Sequence, residues 1–158
     1  MLIGIMSDSH DNLPALSKAV TLFNERAVEA VLHAGDLISP FTAKIMKKLQ
    51  MEMFITFGNN DGEKLGLKAL YGDAIHRPPL ELTLDHKKIV LLHEPDNLGA
   101  IVASKYYDLI VYGHTHEIDV REEKPLVVNP GECGGWVTGN STVTIWNTST
   151  DKVEVIEL

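Results

Sequence analysis

The sequence predicts a mixed α/β fold, on three observations. Early in the chain, short apolar runs alternate with amphipathic helical stretches. Later runs are strand-like and follow one another across polar turns. Side chains able to bind metal stand just beyond the ends of these runs.

Leu2 to Met6 is a short apolar run with polar neighbours, which reads as a buried strand. Asn12-Leu13-Pro14 opens a helix, with Asn12 as its cap and Pro14 in the tolerant first turn. Leu16, Ala19, Val20 and Phe23 form one apolar face of it. Ala30 to Leu32 is a second strand. Ser39-Pro40 starts another helix, with Ile45, Met46 and Leu49 on its buried side. Met53 to Phe57 is a third strand ending at Gly58. Strand–helix–strand–helix–strand implies parallel strands joined by right-handed crossovers.

Leu80–Leu84 and Ile89–Leu92, joined by Asp85-His86-Lys87-Lys88, read as a hairpin. Leu98 to Lys105 is a short helix. Leu109–Tyr112, Leu126–Val128, Thr142–Trp146 and Val153–Ile156 are further strands, the last two linked by the turn-rich stretch Asn147–Asp151. There is no internal repeat. Pro78-Pro79 is the best candidate for a rigid joint, but one domain over residues 1–158 is the simpler organisation.

Hydrophobic residues make up 44% and charged residues 23%, a balance that disfavours disorder. The net charge of −8 argues against a broad basic surface for nucleic acid. It leaves phosphate ligands open, because bound metal supplies local positive charge. Cys133 is the only cysteine, so an intrachain disulfide and a multi-thiolate zinc site are both excluded, and a reducing compartment fits. No apolar run approaches the roughly 20 residues of a membrane helix. Met1 leads into an apolar segment without a basic stretch or cleavage-site pattern. No signal peptide is therefore expected, and cytoplasm is the default location.

The polar residues converge on one sheet edge. Asp8 and His10 follow the first strand, Asp36 the second, and Asn59, Asn60 and Asp61 the third. His93 follows the strand ending at Leu92; His114 and His116 follow the one ending at Tyr112. Ligands of open α/β sheets gather beyond the carboxyl ends of strands. In extended backbone, residues i and i+2 point the same way, so Asp8 and His10 face one site, as do His114 and His116. Gly35, Gly58 and Gly113 each precede a candidate ligand and permit close backbone approach. Each motif alone has a plainer reading as a solvated turn. Four of the seven histidines stand just past strands, and that conjunction favours a metal site over chance.

Asp8-Ser9-His10, Gly35-Asp36, Gly58-Asn59-Asn60-Asp61, His93 and Gly113-His114-Thr115-His116, in this order, resemble the calcineurin-like metallophosphoesterases. Small size and the Asn129-Pro130-Gly131 loop make the chain similar to the short bacterial and archaeal phosphodiesterases of that family. The resemblance implies a four-layer αββα sandwich, with two mixed sheets flanked by helices. It implies two divalent metal ions, with manganese leading and Ni, Fe, Zn or Co open, since affinity order alone does not select among them. Asp8, His10 and His116 would hold one ion, Asn59, His93 and His114 the other, and Asp36 would bridge them. The implied reaction is phosphodiester hydrolysis by a metal-bridging hydroxide, with Asp36, Asn60, Asp61 and His93 as its catalytic residues. The partner is a small phosphoester. Membranes have no part, and a homo-oligomer through exposed apolar surface at Trp136 or Trp146 stays open.

Two departures from the family pattern stand out. Many members carry His where this chain has Asn60, and Asn cannot act as a general acid near neutral pH. Asp61, which would orient that His, is then free to anchor the loop. Glu94 stands where members often carry Gly, adding bulk and negative charge near the substrate entrance. His33 reads as a packed core residue or a donor behind the ligands, His76 and His86 as surface residues, and Cys133 as structural. The rival functions are a monoesterase, a nuclease, a metal-dependent regulatory protein and a non-catalytic scaffold like the retromer sorting subunit of this fold.

Overall fold

In the computed structural model, which describes residues 1–158, strand alternation decides what each sheet face buries. In β1 (Leu2–Met6), Ile3 and Ile5 face one way, and Met6 the other. β1, β2 (Ala30–His33), β3 (Glu52–Thr56) and β4 (Ile75–His76) run parallel in sequence order. β10 (Thr142–Asn147) and β11 (Lys152–Glu157) extend this sheet antiparallel from the other side of β1.

The second sheet has the order β5-β6-β7-β9-β8, built from β5 (Leu80–Leu84), β6 (Lys87–Leu91), β7 (Leu109–Val111), β9 (Leu126–Pro130) and β8 (Ile118–Arg121). β6, β7 and β9 are parallel; β5 and β8 close the edges antiparallel.

Three apolar layers hold the sheets and helices together. Ile3, Ile5 and Leu32 meet Ile89, Leu91, Leu109, Val111 and Val128 between the sheets, with Trp146 fully buried among them. Outside the first sheet, α1 (Leu13–Glu25), α2 (Ala43–Met46) and α3 (Lys64–Tyr71) bury Leu16, Phe23, Met46 and Leu67 against Met6, Val31 and Ile55. Outside the second, α4 (Leu98–Ser104) rests Leu98, Ile101 and Val102 on Val90, Ile110 and Val127. The result is a four-layer αββα sandwich. Each fully buried aliphatic side chain contributes about 1.5–3 kcal/mol. No helix is long and apolar enough to cross a membrane.

Several elements differ from the sequence reading. The helix expected from Ser39-Pro40 is a 3₁₀ turn, Pro40–Thr42, followed by only four α-helical residues, and Ile45 is half-buried. α3, β4 and β8 were not expected. α3 carries Gly66 in mid-helix and buries only Leu67 and Tyr71, so its periodicity is weak. β4 has two residues, and β8 is an edge strand with no fully buried side chain. The hairpin turn is just Asp85-His86, both in left-handed backbone, so β6 begins at Lys87. Asn12 caps α1 as expected, accepting from the Ala15 amide at 3.2 Å. Pro78-Pro79, with a cis peptide bond, lies in the link from the first sheet to the second.

Candidate metal centre

β1, β2 and β3 of one sheet and β6 and β7 of the other end at a common edge, and their following loops carry the candidate ligands. Backbone hydrogen bonds clip these loops together. The Asp8 and His10 amides donate to Gly35 and Asp36, both at 3.0 Å, and the Gly113 amide donates to His93 at 3.0 Å. Close approach is tight enough to require glycine. A Cβ on Gly113 would stand 1.9 Å from Ser7 Oγ, and one on Gly58 would stand 2.1 Å from Asp36 Oδ1.

The expected ligands come together, though not through extended backbone. Asp8, His10, Asp36, His114 and His116 all have positive φ, between 43° and 69°. Side chains rarely adopt this region, and such residues cluster at functional sites. Asp8 and His10 therefore converge because the chain turns at each of them; the two-residue alternation of a strand is not the cause.

One cluster consists of Asp8, His10 and His116. Asp8 Oδ1 lies 3.7 Å from His10 Nε2 and 3.6 Å from His116 Nε2. Asp8 Oδ1 and His10 Nε2 are buried without a hydrogen-bond partner. Such atoms are costly unless something else satisfies them, and a cation between them would. The other cluster consists of Asn59, His93 and His114. Asn59 Oδ1 lies 2.7 Å from His93 Nε2 and 3.0 Å from His114 Nδ1. His93 gives its Nδ1–H to the Ala34 carbonyl at 2.7 Å, which leaves Nε2 directed at the cluster. Asp36 joins the two: its Oδ2 is 3.4 Å from His10 Nε2 and 3.5 Å from His93 Nε2. The donor set of carboxylate, amide oxygen and imidazole fits divalent transition metals.

Electrostatics agree with the placement. Burial alone would raise the Asp36 carboxyl, but His93 and Asn60 outweigh it and hold it down to about 2. The Asp8 carboxylate raises His10 above its ordinary value, with partial burial opposing and Asp36 adding. Burial pushes His33 down to about 4. It accepts from the Gly35 amide at 3.2 Å and faces Ser9 Oγ at 3.2 Å, so a neutral imidazole braces both ligand loops from behind.

Asn60 and Asp61 sit differently from the ligands. Asn60 donates its backbone N–H to Asp36 Oδ1 and its side-chain Nδ2–H to Asp36 Oδ2, both at 2.8 Å. Asp61 is buried and accepts from the amides of Gly58, Asp36 and Ile38, at 2.7, 3.2 and 2.7 Å. It anchors the loops. Cys133 is buried and pushed up to about 12, first by desolvation, and so is no activated thiolate. His86 is exposed, while His76 is half-buried with Nε2 2.7 Å from the Asp73 carbonyl.

Two positioning residues escaped the sequence reading. Glu132 is buried and faces His116 Nδ1 at 3.0 Å, turning Nε2 toward Asp8. Its carboxylate also accepts from the amides of Trp136, Val137 and Thr138 and from the Thr138 hydroxyl. Asn129 donates to Gly113 O at 3.1 Å and to Thr115 Oγ1 at 2.9 Å, holding the loop of His114 and His116. Asn129 carried a signal in its Asn-Pro-Gly context; Glu132 carried none.

A family model for the calcineurin-like phosphoesterase superfamily domain matches residues 1–151. The chain belongs to this superfamily. It is therefore a phosphoric ester hydrolase by descent. A phosphodiesterase of Methanocaldococcus jannaschii is 39% identical to this phosphoesterase over 100% of the chain and 99% of its own length. The solved structure of an archaeal phosphodiesterase, also 39% identical, superposes with a TM-score of 0.93 over 100% of both chains. Vps29 from Chaetomium thermophilum, 19% identical, has a TM-score of 0.72 over 100% of this chain and 95% of its own, a likeness of fold alone.

Proposed function

We propose that this calcineurin-like phosphoesterase is a phosphodiesterase acting on small phosphodiesters with two divalent metal ions, manganese foremost. The observation that carries the reading is Asp36 Oδ2, shared between the His10 cluster and the His93 cluster at 3.4 and 3.5 Å. Asp8, His10 and His116 would hold one ion, Asn59, His93 and His114 the other, and Asp36 both. Bound there, divalent ions stabilise charge on phosphoryl oxygens and lower the pKa of a water toward about 7. Two such ions facing two carboxylates leave the site net positive inside an acidic protein. The reading takes residues 1–158 as one catalytic domain. A cytoplasmic location goes with its single, buried thiol.

The chain's own residues then have defined tasks. His93 is buried and aimed by Ala34; His116 is aimed by Glu132. Asp61 holds the loops that carry Asp36 and Asn59. Asn60 donates hydrogen bonds but has no proton to give to a leaving group. Because general acid catalysis is worth about 10²–10⁴-fold, aryl diesters are expected to be cleaved faster than alkyl diesters by a comparable factor. Equal rates on both, with chemistry rate-limiting, would refute this role.

The test of the function is reconstitution with Mn, Ni or Zn, followed by assay of bis(4-nitrophenyl) phosphate and 4-nitrophenyl phosphate and by elemental analysis. Two ions per chain and a higher kcat/KM on the diester are expected, with both lost in Asp36→Ala and reduced in His116→Ala. Activity no higher than in these variants with every metal would favour a scaffold, and a preference for the monoester would favour the monoesterase reading.

A further inference from the structure

A cleft of about 660 Å³ opens against Asn59 and His93 and continues between α3 and the residues after β4. Its apolar lining includes Phe57, Leu65 and Ile75, and Leu65 is 90% exposed at the start of its helix. Its charged lining is Lys64, Lys68, Arg77 and Glu94. Lys68 is occupied, donating to the carbonyls of Gly72 and Ile75 at 2.7 and 3.1 Å. Lys64 and Arg77 are exposed and make no hydrogen bond or ion pair; Lys64 Nζ only overhangs the Phe57 ring at 6.0 Å. Glu94 is the one carboxylate of the lining and follows His93 directly, at the metal end.

A chain of net charge −8 thus places two unpaired cations in the cleft that adjoins its ligands. We propose that this cleft receives one ester arm of the substrate, and that Lys64 and Arg77 recognise a second phosphoryl group on that arm. This rests on the phosphodiesterase reading of the adjoining site. Phe57 and Leu65 give the body of the arm, such as a sugar and base, an apolar floor. Glu94 repels a second anion at the metal end, so the extra phosphate goes to Lys64 on the α3 side and Arg77 on the side after β4. The preferred substrate class is a diester with a phosphorylated arm, above a diester with a neutral one.

The test compares thymidine 5′-(4-nitrophenyl phosphate) with the same compound carrying a 3′-phosphate. Both release nitrophenolate, so the ratio of their kcat/KM values cancels any shared effect of a substitution. A ratio of about ten in favour of the 3′-phosphate, carried by KM, is expected of charge-assisted contacts at an accessible site. It should fall toward one in the Lys64→Ala/Arg77→Ala double variant and shrink as salt is raised. A ratio near one in the unmodified protein, or one that survives in the double variant, overturns the proposal.

Calorimetry on metal-free protein separates this from a failure of the function itself. Thymidine 3′,5′-bisphosphate should bind more tightly than thymidine 5′-phosphate, and the difference should vanish in the double variant. If no diester is turned over with any metal, the phosphodiesterase reading fails, yet this binding difference still decides whether the cleft reads a second phosphate. Equal binding of the two nucleotides overturns the cleft proposal.

Discussion

At the scale of single residues, the site depends on side chains that touch no substrate. Glu132 aims His116, and carboxylates of this kind typically change metal affinity by about 10–100-fold when replaced. Glu132→Gln is expected to weaken manganese binding by that factor in a metal titration. His33 makes a different prediction. Its imidazole stays neutral down to about pH 4 in the fold, while the unfolded chain takes up its proton near 6.5. The unfolded state therefore binds more protons in that window, and folding stability falls as pH drops from 6.5 to 4, by on the order of 3 kcal/mol. His33→Gln should flatten this slope in urea titrations of chelator-treated protein. Only part of this was legible in sequence. His33 could be read as core or as a brace, and Glu132 acts across a distance that the chain order hides.

Strands and helices place the ligands by ending where they do. The strands were legible because Leu2–Met6, Ile89–Leu92 and Leu109–Tyr112 are short apolar runs, as strands buried on both faces must be. α3 and β8 were not, because one buries two side chains and the other none. The glycines between strand and ligand supply a direct test. A methyl on Gly113 would press on Ser7 and Asp8 in the buried turn after β1. Gly113→Ala is expected to cost about 1–3 kcal/mol in chemical denaturation and to weaken metal binding as well. Gly99, in α4, has open space around its Cβ position. Gly99→Ala should instead be neutral or gain up to about 1 kcal/mol, from helix propensity.

At the scale of the whole molecule, the centre draws on both sheets. Asp8, His10, Asp36 and Asn59 follow strands of one; His93, His114 and His116 follow strands of the other. Metal bound there would tie the two layers together and would stabilise only the folded chain. At a manganese concentration about 100 times Kd, the gain is about 2.7 kcal/mol. For a chain of this size that corresponds to a rise in Tm of about 5–10 °C. Scanning calorimetry should show it in the unmodified protein, and Asp36→Ala should abolish it.

The sequence by itself determined the succession and parallel direction of the first three strands, the set of ligand-type side chains and the family to which their order points. These follow from local periodicity and from residue types at fixed spacing. Tertiary structure decided how the ligands meet. The two-residue spacing of Asp8 and His10 suggested an extended segment, whereas both residues take left-handed backbone, their amides held by the carbonyls of Gly35 and Asp36 in another loop. It also decided that Trp146 is core while Trp136 stays 66% exposed, that Asp61 binds backbone amides, and that Glu132 stands behind His116. Each of these depends on a partner in another loop or strand, brought near when strands pair within a sheet or, for Trp146, when the two sheets pack.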